Sequence, residues 1–136
     1  METKDKKARR PYTIECTEEQ LWLIAKAVED YTRFLAGQCG MNNAMMHTDA
    51  CRIGSKLENE LHKIVTPELP QNASYGWSGS DCPNFHQRKE IAMGYGIYRQ
   101  IRHYFAMQLE DNDWNVYKSE TLTCPEQGPL IKITKQ

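Results

Sequence analysis

Apolar residues recur along this chain with two different periods, and the places where the period changes divide it into elements. Tyr12, Ile14 and Cys16 alternate with Thr13 and Glu15, the period of two that marks a half-buried strand. From Thr17 the period lengthens, and Leu21, Ile24, Ala25, Val28, Tyr31 and Leu35 fall on one face at helical spacing. Thr17-Glu18-Glu19-Gln20 fits a capping box at the start of this helix, and Gly37 is placed to end it in a left-handed cap. A second helix is predicted from Asn43 or Thr48 to Thr66, with Met46, Ala50, Ile53, Leu57, Leu61 and Ile64 as its stripe and Pro67 as its stop. A third opens at Asp81 or Cys82, carries Pro83 in its first turn, and runs to about Leu109 with Ile91, Tyr98, Ile101, Phe105 and Leu109 on one face. Val116 to Leu122 and Leu130 to Thr134 read as two strands joined by a loop holding Pro125 and Gly128. The order β-α-α-α-β-β predicts an α+β domain: the first strand pairs with the terminal hairpin in a small antiparallel sheet, and three helices cover it.

Length changes this picture little. The chain has 136 residues, enough for one domain with a real core. Charge changes it more. Residues 1–10 carry Lys4, Lys6, Lys7, Arg9 and Arg10 against Glu2 and Asp5, a tail of +3; the overall −1 leaves −4 on the single domain of residues 11–136. The longest apolar run, Leu21 to Ala25, is far short of the roughly 20 residues of a membrane span, and no apolar block follows the basic start. The expectation is a cytoplasmic protein. Its five cysteines are an odd, irregularly spaced set without a C-x-x-C pair, which suits reduced thiols in or near a core.

The familiar anchors of catalysis are missing from the sequence: no phosphate loop, dinucleotide fingerprint, nucleophile elbow or H-E-x-x-H helix. Cys82-x-x-x-His86 could set two zinc ligands on one helical turn, but no second close pair converges on it, so no metal and no cofactor are expected. Glu110-x-x-Asp113 has the spacing of a helical magnesium pair without a matching pair elsewhere, and reads as a solvated helix end. A binding protein is expected and not an enzyme, with a small hydrolase as the remaining alternative.

The third helix offers chemistry of another kind. Stepping by the helical period from Tyr98 puts Arg88, Tyr95, Arg99 and Arg102 between roughly 40 and 100 degrees, along one flank of the apolar stripe. Ahead of it, Tyr75 and Trp77 sit in the glycine- and serine-rich run of residues 74–80. Guanidinium forks donate paired hydrogen bonds to phosphate, and aromatic rings stack on a nucleobase. Tyr75, Trp77, Arg88, Tyr95, Arg99 and Arg102 therefore outline a pocket for a small anionic nucleotide. In the competing reading Tyr75 and Trp77 plug the edge of the helical layer while the arginines pair with Glu58, Glu60 or Asp81.

The runs Tyr12 to Gln20 (YTIECTEEQ) and Asn72 to Lys89 (NASYGWSGSDCPNFHQRK) resemble small proteins carried by bacteriophages and mobile elements of gut bacteria. The resemblance implies an accessory protein acting in the cytoplasm of an infected cell. It adds, by analogy, a function for the pocket: sequestering the nucleotide signals of host immunity without consuming them. The alternative is a module that binds a host protein or nucleic acid, although the acidic body disfavours an extended DNA contact. Trp22 and Phe34, off the buried stripe of the first helix, predict a homo-oligomer.

Overall fold

A computed structural model describes residues 10–39, 42–45, 53–65 and 85–136. Four α-helices are present among them: α1 (Glu18–Leu35), the single turn α2 (Asn42–Met45), α3 (Ser55–Val65) and α4 (Phe85–Ala106). Two 3-10 turns follow, Val116–Lys118 and Pro125–Gln127. The described residues form no strand, so the predicted α+β sheet is replaced by a helical architecture.

The centre is an antiparallel pair, α1 against α4. Ala25, Tyr95, Tyr98 and Ile101 form the buried cluster, with Leu21, Val28, Ile97 and Phe105 packed around it; Ala36 and Ile91 close the other end with Leu35. The helices come close because their contact residues are small. A Cβ added to Gly94 would lie 2.0 Å from Thr32 Oγ1, and that hydroxyl is itself fixed by donating to the Val28 carbonyl at 2.6 Å. The ends of α1 follow the local signals. Thr17 N donates to Gln20 Oε1 at 2.8 Å and Gln20 N to Thr17 Oγ1 at 3.2 Å, a complete capping box. Gly37, at φ 86°, donates to Phe34 O, and Gln38 N donates to Arg33 O at 2.7 Å, the two bonds of a Schellman motif.

The buried face of α1 is rotated from the predicted stripe. Ile24 and Tyr31 are exposed, while Ala25, Glu29, Thr32 and Ala36 face α4. On α1 the fully buried positions are small or polar, while Leu21, Val28 and Leu35 of the predicted stripe pack beside them half-buried. In the second predicted helix the stripe holds in part: Leu57 and Leu61 are half-buried, but Ile53 and Ile64 are exposed, and residues 46–52 lie outside the described set. The end of the third runs short. Helix α4 stops at Ala106, and Leu109 lies beyond it, 43 % exposed.

The predicted strands fail for identifiable reasons. In the terminal segment, the backbone acceptors that a ladder would use are taken by side chains: Arg99 binds the carbonyls of Val116 and Tyr117, Gln100 Nε2 that of Ile131, and Gln127 Nε2 that of Leu122. Asn115 Oδ1 accepts from Tyr117 N at 2.8 Å and bends the chain into the first 3-10 turn; Pro125 begins the second. Ile131 and Ile133 do pack on the core, with Lys132 and Thr134 outward, so the alternation reports one buried face without strand pairing. Residues 10–16 are exposed and belong to no helix or strand, and with the other described residues they make no backbone–backbone hydrogen bond.

Candidate functional site

Helix α4 brings three cationic or ionisable side chains, Arg99, Arg102 and His103, to the turn at residues 116–119. Arg99 is 8 % exposed. Its Nη1 donates to Tyr117 O at 3.2 Å, its Nη2 to Val116 O at 3.1 Å and Ser119 Oγ at 2.9 Å, and its guanidinium lies 4.7 Å from the centre of the Tyr117 ring. His103 Nδ1 stands 2.8 Å from Tyr117 O, an acceptor that fixes the Nδ1–H tautomer. Every partner of Arg99 is a neutral oxygen or a ring, so among the described residues this buried charge has no carboxylate beside it.

Arg102 is held differently. Its Nη2 donates to Glu29 Oε1 at 2.7 Å and Asn43 Oδ1 at 3.3 Å, and its guanidinium lies 5.8 Å from the Trp22 ring and 5.4 Å from that of Tyr117. Its Nε is buried with no hydrogen-bond partner. Glu29 also accepts from Arg33, at 3.1 Å from Nε and 3.0 Å from Nη2, and from Asn43 Nδ2 at 2.8 Å. Burial alone would raise the pKa of this carboxyl. The Asn43 hydrogen bond and the charges of Arg102 and Arg33 outweigh that and hold it below the ordinary value. Asp30 completes the junction by accepting from Asn43 N at 3.0 Å and Ala44 N at 2.9 Å, which fastens the turn α2 to α1.

The sequence-predicted site residues thus separate. Tyr95, Arg99 and Arg102 share one flank of α4, as the helical period requires, and Tyr95 is buried edge-on to Tyr98 at 5.8 Å between centroids. Arg88 is half-buried on the same helix but 11 residues before Arg99, roughly 16 Å along the axis. Tyr75 and Trp77 lie outside the described residues, as do Asp81, Cys82 and Pro83. Arg102 pairs with Glu29 of α1, a glutamate 73 residues away in sequence, and not with Glu58 or Glu60. Glu29, Tyr117 and His103 were not singled out by sequence. Glu29 had a readable signal: it falls between Ala25 and Thr32 on the face that α1 buries, where a lone charge demands a partner.

Other candidates resolve into local structure. Asp113 Oδ2 accepts from Glu110 N at 3.2 Å and Asp113 N donates to Glu110 O at 2.9 Å, so this acidic pair closes a turn. Among the described residues no three His, Cys, Asp or Glu side chains are grouped to hold a metal ion, and no helix is long and apolar enough to cross a membrane. Trp22, expected to be exposed, is half-buried and stacks on Phe105 with centroids 4.5 Å apart; Phe34 is also half-buried. Large apolar side chains are exposed at several other places: Trp114 is 89 % exposed, and Tyr12 and Ile14, on the segment that leads into α1, are 85 % and 79 % exposed. Comparison with protein-family profiles, characterised proteins and solved structures finds no match to this chain.

Proposed function

We propose that the protein is a non-enzymatic accessory module that works by protein–protein contact, through the exposed segment of residues 10–16. The observation that carries this reading is a segment outside any helix or strand with an apolar alternation, Tyr12, Ile14 and Cys16, whose residues are all exposed. Such a segment has backbone donors and acceptors to offer to another chain and apolar side chains to bury when it does so. The α4 arginines support the same reading from the other side. Arg99 and Arg102 are spent on the chain's own carbonyls and on Glu29, so a nucleotide would have to displace contacts that hold the fold. A photo-crosslinking residue at position 12, with one at Asp111 as control, tests it in expressing cells. Adducts of discrete mass from position 12 alone support the contact; none from either position overturns it.

A second reading, sequestration of a small anionic nucleotide, is favoured by Arg99. A buried guanidinium with no carboxylate beside it projects positive potential onto the surface above it, where Ser119 is exposed and Tyr117 and His103 are half-buried. On this reading Tyr75 and Trp77 supply the aromatic side of the ligand site, and the resemblance to bacteriophage proteins supplies the immune nucleotide signal as ligand. Calorimetry against cyclic dinucleotides, cyclic trinucleotides and ADP-ribose derivatives tests it. Binding with the ligand recovered intact, weakened by Trp77→Ala and Arg99→Gln, supports it; no heat across the panel removes it.

A further inference from the structure

The contact proposed above leaves open what the segment meets. We propose that the partner is a second copy of this chain, and that residues 12–16 of the two protomers pair antiparallel about a two-fold axis through Ile14. The inference rests on the reading of the segment as a contact surface.

The sequence around Ile14 is complementary to its own reverse. In that register Ile14 faces Ile14 of the partner subunit, Tyr12 faces Cys16 of the partner subunit, and Thr13 faces Glu15 of the partner subunit. All the apolar residues then lie on one face of the ribbon and the polar ones on the other, which a shift of one residue would scramble. Charge selects the direction. Arg9 and Arg10 precede the segment, and Glu18 and Glu19 follow it in the first turn of α1; antiparallel pairing brings each basic run level with the other protomer's acidic turn. Parallel pairing would set basic against basic and acidic against acidic. The Thr17 capping box further fixes the chain's exit from the helix, so part of the ordering entropy is already spent before the protomers meet.

Two five-residue strands bury less than the roughly 1,200 Å² of a standard interface, so the dimer should be reversible and concentration-dependent. Salt should weaken it. Sedimentation velocity of the full chain, diluted from about 100 μM to about 1 μM, should show a dimer giving way to a monomer with unchanged helical signal. Ile14→Asp sets two carboxylates face to face at the axis and should weaken association at least about tenfold, with the melting curve of the monomer unmoved because Ile14 is 79 % exposed. In a Cys16→Ser background, Ile14→Cys should form a disulfide-linked dimer under mild oxidation and Thr13→Cys should not. A monomer at every concentration, a dimer indifferent to Ile14→Asp, or equal cross-linking at both positions would overturn the proposal. The photo-adduct from position 12 separates the two levels: a mass of two chains supports self-pairing, a heavier or lighter partner sinks it while keeping the contact surface, and no adduct sinks both.

Discussion

Gly94 and Arg99 show how single residues set this structure. Gly94 lets α4 lie against Thr32, and the methyl of Gly94→Ala would meet a hydroxyl that its own hydrogen bond holds in place. The variant should lose about 2–3 kcal/mol, seen as a lower denaturation midpoint with an unchanged slope. Arg99→Ala removes three hydrogen bonds from a charged donor and leaves the Val116 carbonyl with Ser119 Oγ as its side-chain donor and the Tyr117 carbonyl with His103. A loss of about 2–3 kcal/mol is expected there as well. If Arg99 were a surface ligand residue, the same substitution would leave the melting temperature almost unchanged.

At the scale of elements, the network around Glu29 joins α1, α2 and α4 and gives the protein an acid-sensitive joint. The folded pKa of Glu29 lies below its unfolded value near 4.5, so its contribution is complete above that value and is lost as the pH falls through the folded pKa. Between about pH 6 and about pH 3 the wild type should lose more stability than Glu29→Gln, which cannot titrate; parallel melting curves would refute the joint. The cap of α1 predicts a smaller effect, about 1 kcal/mol for Thr17→Ala. Both ends of α1 were legible in the sequence because a cap is written within four residues. The Glu29 to Arg102 pair was not, since its members are 73 residues apart and nothing local identifies one to the other. The arginine flank of α4 was likewise correct as a line on a helix and silent on what the line would face. The strands were misread because period-two alternation encodes a buried face, which Ile131 and Ile133 satisfy against helices.

At the scale of the whole molecule, the exposure of residues 10–16 changes what truncation should do. A chain in which residues 12–16 form a core strand would unfold without them; here deletion of residues 1–16 should leave the helical circular-dichroism signal and its cooperative melt in place. Loss of the transition would return the segment to the core.

The contacts of α4 also differ in how much chain they enclose. Those of Arg99 and His103 with the turn at residues 116–119 close loops of 14 to 20 residues, whereas the Arg102 to Glu29 pair closes one of 73. By loop-closure entropy the longer loop costs roughly 1 kcal/mol more to form, so α4 should gather its C-terminal segment before α1 arrives. Folding then has an order written into it: Arg99→Ala should slow the refolding limb of a chevron, while Arg102→Ala should chiefly speed the unfolding limb. Helix α4, with the C-terminal segment it has already gathered, would then act as the template on which α1 docks.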